Sequence, residues 1–196
     1  MKNSVSVSER TVAYLIEQVG RAAYGDGFTG GLNPAQWAAL RYFGRANRFS
    51  RAVGAFAEFQ GTTRGTASQT VKALVQKGYL TREPSPGDRR SFRLQVTAEG
   101  RTLLRDDPFH ELAGVAGALT PEQRSDLAQG LDIILDRILT RRGLPRFGVC
   151  SCCCHLRLDA CRGHPLGPHE CGLLSAPLSE QETGKICVKY SEAGAK

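Results

Sequence analysis

The sequence predicts a mainly α-helical protein with one small β-hairpin, followed by a compact, loop-rich module of different chemistry. Three observations carry this expectation. Apolar residues recur at helical spacing through most of the chain up to Arg142. The period switches to alternation in two short runs, Tyr79 to Glu83 and Arg93 to Thr97. All seven cysteines fall between Cys150 and Cys187, so the chain divides near Gly143 to Arg146 into residues 1–145 and 146–196.

Val12, Leu15, Ile16 and Val19 predict an amphipathic helix over about Ser6 to Tyr24, ended by the glycines from Gly25 to Gly31. Asn33 is a good N-cap with Pro34 at the first helical position, and the helix it opens carries Trp37, Leu40 and Phe43 on one face, a core stripe. A short helix is expected over Arg51 to Phe59, stopped by Gly61. Thr63 then caps a helix from Arg64 to Lys77, with Ala67, Val71, Leu74 and Val75 as its buried stripe and Gly78 as its stop. The two alternating runs follow, joined by the turn-rich Pro84 to Arg90 with its two arginines. A further helix starts at Ala98 and is broken by Pro108. Thr120 to Gln123 has capping-box spacing ahead of an apolar stripe of Leu127, Leu131, Ile134, Leu135 and Ile138.

Helix, helix, tight turn, helix and hairpin is the order of a winged helix-turn-helix. Such a capped helix can lie in a major groove while an arginine-bearing wing reaches phosphate or the minor groove. The net charge of +7 agrees in its distribution: from Arg41 to Arg105 there are thirteen Lys or Arg against four Asp or Glu, which concentrates the basic excess on this segment. From about Val5 to Arg142 the chain resembles the MarR family of transcriptional regulators. The resemblance rests on Gly61 to Gln69, on Leu74 to Leu80, and most specifically on Asp88-Arg89-Arg90 followed by Leu94 to Gly100. It implies a homodimer, its first and last helices at the interface, bound to double-stranded DNA at a pseudo-palindromic operator. It assigns the DNA-facing positions to Thr63, Arg64, Ser68, Gln69 and Lys72 on the helix and to Asp88, Arg89 and Arg90 on the wing. The competing bland reading makes these residues a solvated basic face.

The cysteines pose a separate problem. Cys150 and Cys153 have the two-residue spacer that lets two thiolates approach one centre from a tight turn, whereas adjacent cysteines project apart. Cys171 and Cys187 are the expected partners, beside apolar residues that would shield them: Leu173 and Leu174, and Ile186 and Val188. A zinc ribbon would present a second close pair, which this segment lacks. The spacing, with Cys153 to Leu156, Cys171 to Leu174, Pro177-Leu178 and Ile186 to Tyr190, resembles the high-potential iron–sulfur proteins over about forty residues. That resemblance implies a [4Fe-4S] cluster held by Cys150, Cys153, Cys171 and Cys187. Structural Zn2+ and a metal-free or disulfide-forming tail remain the alternatives. Cys152, Cys154 and Cys161 are spare on this reading, and His155 and His169 are possible substitute ligands. Only a few residues separate Arg142 from Cys150, which places the centre beside the last long helix, the dimer helix of the resembling family.

No phosphate-binding glycine loop, nucleophile elbow or carboxylate pair points to catalysis, so no enzyme is expected. The longest uncharged stretch, Gly27 to Leu40, is too short and glycine-rich to span a bilayer, and the first twenty residues lack a secretory pattern. A cytoplasmic regulator is the expectation. The competing classes are a zinc-stapled regulator sensing an organic ligand and an electron carrier on a winged-helix scaffold.

Overall fold

The computed structural model describes residues 7–23, 29–85 and 88–192. Its helical part comprises α1 (Glu9–Ala23), α2 (Pro34–Arg45), α3 (Val53–Gln60) and α4 (Arg64–Gln76). The hairpin β1 (Leu80–Ser85) and β2 (Asp88–Val96) follows, then α5 (Ala98–Leu103), α6 (Phe109–Ala116) and α7 (Pro121–Arg142). The remainder folds as β3 (Gly148–Val149), β4 (Leu156–Arg157), β5 (His169–Cys171), β6 (Ala176–Leu178), α8 (Glu180–Thr183) and β7 (Ile186–Cys187).

Local chemistry sets the helix ends. Asn33 Oδ1 accepts from the Gln36 amide at 2.9 Å while the Gln36 side chain accepts from the Asn33 amide at 3.2 Å, a reciprocal capping box. Thr120 and Gln123 repeat it at the start of α7. Gly61, at φ +59°, closes α3 in the left-handed region that glycine adopts without steric cost, and Thr63 accepts from the Thr66 amide at 3.1 Å to open α4. Pro108 separates α5 from α6, as the sequence predicts.

The hairpin departs from expectation. Its strands reach Ser85 on one side and Asp88 on the other, so Arg89 and Arg90 belong to β2 and not to a loop. Both strands of a two-stranded ribbon are edges, so Pro84 costs no central ladder bond, and the register shifts only between Pro84 and Ser85.

The core sits under the helix-turn-helix. Trp37, Leu40 and Phe43 of α2 meet Phe56 of α3, Ala67, Val71 and Leu74 of α4, and Leu80 and Leu94 of the hairpin. Arg41 pairs at 2.7 Å with the buried carboxylate of Asp107, tying α2 to the segment before α6. The stripes of α1 and α7 behave differently. Val12, Leu15, Ile16 and Val19, and Leu127, Leu131, Leu135 and Ile138, are all exposed within the single chain.

The C-terminal module is built from short antiparallel pairs, β3 with β7 and β4–β5–β6 in order. It does not stand apart, because Ile186 is buried in the helix-turn-helix core. Its carbonyl accepts from the Asn47 amide at 2.9 Å, and Ala46 bridges Ile186 in parallel. Arg48 pairs with Glu182 and donates to the Pro177 carbonyl, and Phe147 stacks edge-on against Phe59 at 5.2 Å. We expect Ile186→Ala to lower the unfolding free energy of the full chain by about 2–5 kcal/mol, as for other buried large-to-small changes. Leu174→Ala, at an exposed position, should change it by less than about 0.5 kcal/mol. Urea denaturation checks both, and equal effects would separate the module from the core.

Candidate functional site

Two constellations lie side by side on this fold. The first is the outer face of α4. Ala67, Val71 and Leu74 point into the core, so helical geometry turns Arg64, Ser68, Gln69 and Lys72 outward, where all four are exposed. Thr63, also exposed, holds the first turn by its cap. The helix thus presents two cations and two hydrogen-bonding side chains at and after its N-terminus. Asp88, Arg89 and Arg90 lie on β2, and their side chains lie outside the described part of the structure. The wing is joined to the segment before α3 by a hydrogen bond from the Leu94 amide to the Arg51 carbonyl, at 2.8 Å. Arg51 strengthens that junction through its guanidinium, which reaches Ala46 O and Gln95 Oε1.

The second constellation gathers the cysteines. Cys150, Cys171 and Cys187 are buried together with Leu178, against Phe49, Leu156 and Tyr190. Cys153 closes the turn from Cys150, its amide donating to the Cys150 carbonyl at 3.0 Å, and is half-buried. Three of the four cysteines singled out by spacing, Cys150, Cys171 and Cys187, therefore share one cluster, and Cys153 lies one turn from Cys150. Cys152 and Cys154 are exposed and Cys161 is half-buried. Among the described residues, no group of three or more His, Cys, Asp or Glu side chains is drawn together tightly enough for a single metal ion.

The apolar wall differs from expectation. Leu173 and Leu174 are 50% and 38% exposed, because they ride on the outside of the tight turn between β5 and β6, where Ser175 takes φ +47°. Leu178, Leu156, Phe49 and Tyr190 supply the wall instead, and Ile186 and Val188 face the helix-turn-helix core. Gly148 makes room for Tyr190, whose ring would collide with any Cβ there. His169 is buried, but its Nδ1 accepts from the Asp159 amide at 3.1 Å and its Nε2 lies 2.9 Å from Glu180. Both ring nitrogens are engaged in structure, which removes it from the ligand candidates.

Sequence reasoning missed the polar residues that touch the sulfurs. Asn47, fully buried in the loop between α2 and α3, donates from Nδ2 to Cys150 Sγ at 3.6 Å. Its Oδ1 accepts from the Phe49 amide at 3.1 Å and from Ser50 Oγ at 2.8 Å. Ser50 Oγ in turn accepts from the Val188 amide at 2.8 Å, and the Lys189 amide donates to Cys187 Sγ at 3.3 Å. A hydrogen bond with Cys150 holds the Cys187 thiol down at about 6, assisted by Asn47, the Lys189 amide and Ser50. The same bond, with burial, pushes the Cys150 thiol far above its ordinary value. The centre thus rests on the loop that leads into α3, and not on α7 as its chain position suggests. The signal available was small: two polar residues three apart after a helix end, the spacing of a self-bonded turn.

An open cleft of about 500 Å3 lies between α2, α3 and the segment ahead of α6, walled by Arg41, Tyr42, Phe59, Leu104 and Phe109. No described helix is long and apolar enough to cross a membrane.

Helix-turn-helix and wing together define a winged-helix fold. Comparison with known proteins refines the class. The MarR family model matches residues 30–91, ending before the cysteines. The structure is similar to a MarR transcriptional regulator from Methanosarcina mazei Go1, at 21% identity over 67% of this chain and 99% of that one, with a TM-score of 0.56. It is also similar to S. aureus MepR in its complex with DNA, at 16% identity over 69% and 99% of the two chains, TM-score 0.57. The transcriptional regulator SlyA matches at 18% identity over 67% and 96%, TM-score 0.55. The chain has the MarR-like winged-helix fold. No protein of curated function matches it.

Burial makes a direct prediction for the thiols. In the folded protein, kept reduced and free of metal, Cys152 and Cys154 should react with a thiol reagent within the mixing time. Cys150, Cys171 and Cys187 should react only as the protein opens. Mass mapping of the labelled sites checks this, and early labelling of Cys187 would contradict the packing described.

Proposed function

We propose that this chain is a sequence-specific DNA-binding transcriptional regulator, a repressor, that works as a homodimer on a pseudo-palindromic operator. The observation that carries the reading is the outward face of α4, where Arg64, Ser68, Gln69 and Lys72 stand opposite a buried stripe and beside the wing of Asp88, Arg89 and Arg90. An α-helix presented this way fits the major groove with its N-terminal residues at base edges. The family-model match and the solved regulators of the same fold, one of them bound to DNA, support it. The homodimer is supported by the exposed apolar stripes of α1 and α7, which a second copy would cover, pairing the two α4 helices for successive grooves.

The test is salt-dependent binding to a duplex selected from a random-sequence pool. Affinity should fall steeply with salt as Lys and Arg displace condensed counterions. Arg64→Ala and Arg90→Ala should each weaken binding by about 1–3 kcal/mol. Full affinity in the double variant would overturn the assignment.

In the same reading, Cys150, Cys153, Cys171 and Cys187 hold a redox-responsive [4Fe-4S] cluster. What supports this is the burial of Cys150, Cys171 and Cys187 together behind Leu178, Leu156, Phe49 and Tyr190, with Cys153 one turn from Cys150 and amide donors at the sulfurs. A cube carries an iron at each of four corners, so its thiolates stand farther apart than those around a single ion, and binding it would part the Cys150 and Cys187 thiols that hydrogen-bond to each other here. Bound there, it would supply one-electron exchange with an external redox partner. Protein purified without oxygen should be brown and hold about four irons per chain. Serine at any of the four positions should bleach it, and serine at Cys152, Cys154 or Cys161 should not. A colourless protein with one zinc per chain would replace this reading with a structural zinc site.

A further inference from the structure

The loop between α2 and α3 does more than connect them. Within six residues it contacts the cysteine centre, the wing and the start of the helix-turn-helix. On one side, Asn47 Nδ2 reaches Cys150 Sγ, the Asn47 amide binds the Ile186 carbonyl next to Cys187, and Ser50 Oγ takes the Val188 amide on the far side of Cys187. On the other, the Arg51 carbonyl receives the Leu94 amide of β2, and α3 begins two residues later. The Tyr42 hydroxyl clamps the middle by donating to the Ser50 carbonyl at 2.8 Å, and burial pushes that phenol well up, so it stays protonated as a donor.

We infer that Asn47 and Ser50 are positioning residues of the cysteine centre, so that loading the centre fixes the α2–α3 loop and thereby sets DNA affinity. The inference rests on the four-cysteine reading above and deepens it by naming the route of control. Asn47 can serve only one geometry. Its oxygen is committed to the Phe49 amide and the Ser50 hydroxyl, so its NH2 group is aimed at the sulfurs by the turn itself. A cluster that fixes the sulfur positions therefore fixes the carboxamide, the turn and the frame from which α3 and the wing depart. With the sulfurs free to move, the loop must be ordered when DNA binds, at the cost of affinity. Reciprocity then requires that DNA strengthen retention of the cluster.

The experiment uses full-length protein reconstituted anaerobically with iron and sulfide, and the same protein stripped with a chelator, each titrated with the selected duplex. Loading should tighten binding of the unsubstituted protein by about five- to a hundred-fold. Asn47→Ala and Ser50→Ala should still take up iron, but their loaded-to-stripped ratio should fall toward one. Asn47→Ala should also lower the reduction potential, because the lost donor favoured the more negative, reduced sulfurs. Should Asn47→Ala not fold, Ser50→Ala and amide exchange in the unsubstituted protein decide: loading must slow exchange over residues 46–60. Iron uptake with equal affinity in both forms overturns the coupling. So do variants whose ratio and potential are unchanged, and so does unchanged exchange. Failure of the unsubstituted protein to take up iron shows up separately, as absent colour, and removes the four-cysteine reading together with this inference.

Discussion

The packing of the two halves depends on one buried carboxamide. Asn47 has no access to solvent, and a buried amide without partners would cost several kcal/mol. Each of its side-chain polar atoms has a partner, but only because the Ser50 turn, the β7 segment and the Cys150 turn arrive together. Apolar packing alone would let the module slide over the helix-turn-helix, since such contacts are not directional. The polar contact sets the register: it places Ile186 in the core and leaves Cys187 next to it, facing the other way.

That register also explains how so small a module can fold. A segment of about fifty residues seldom buries enough apolar surface to offset its chain entropy. This one has two sources of help. It borrows the core of its neighbour through Ile186, Val188 and Phe147, and it clusters sulfurs and apolar side chains where a bound centre would add its binding energy to folding. Arg146 pins the connecting segment against α7 through Asp132 and Asp136, so the linker is held and not free.

Much of the winged helix was legible in the sequence because its signals are local. Asn33, Thr63 and Thr120 cap where capping chemistry predicts, and the stripes of α2 and α4 are buried as their period implies. The hairpin was underestimated because Pro84 and the following proline and glycine read as a long turn in sequence, although an edge ribbon tolerates Pro84. That Cys150, Cys171 and Cys187 would be buried together was anticipated from spacing, since a two-residue spacer and steric exclusion of neighbours are also local rules. The shield around them was not, because whether Leu174 or Leu178 faces inward depends on a reversal at Ser175 that no periodicity encodes. Asn47 and Ser50 were invisible for the same reason: they lie about a hundred residues from the sulfurs they serve.

The same distance in sequence bears on how the two halves would communicate under the proposed control. Chain order places the cysteines next to α7, and a signal sent along that helix would have to act through the dimer interface, shifting two subunits against each other. The observed contact is shorter. It runs from sulfur through one carboxamide and one hydroxyl to the residue that anchors the wing, with α3 starting just beyond. A coupling of this kind needs only one turn to be firm or loose, and a loop between two helices is where a fold can change at least cost to its core. If, as proposed, the exposed stripes of α1 and α7 pair two copies, that contact can stay constant while the variable part lies inside each copy.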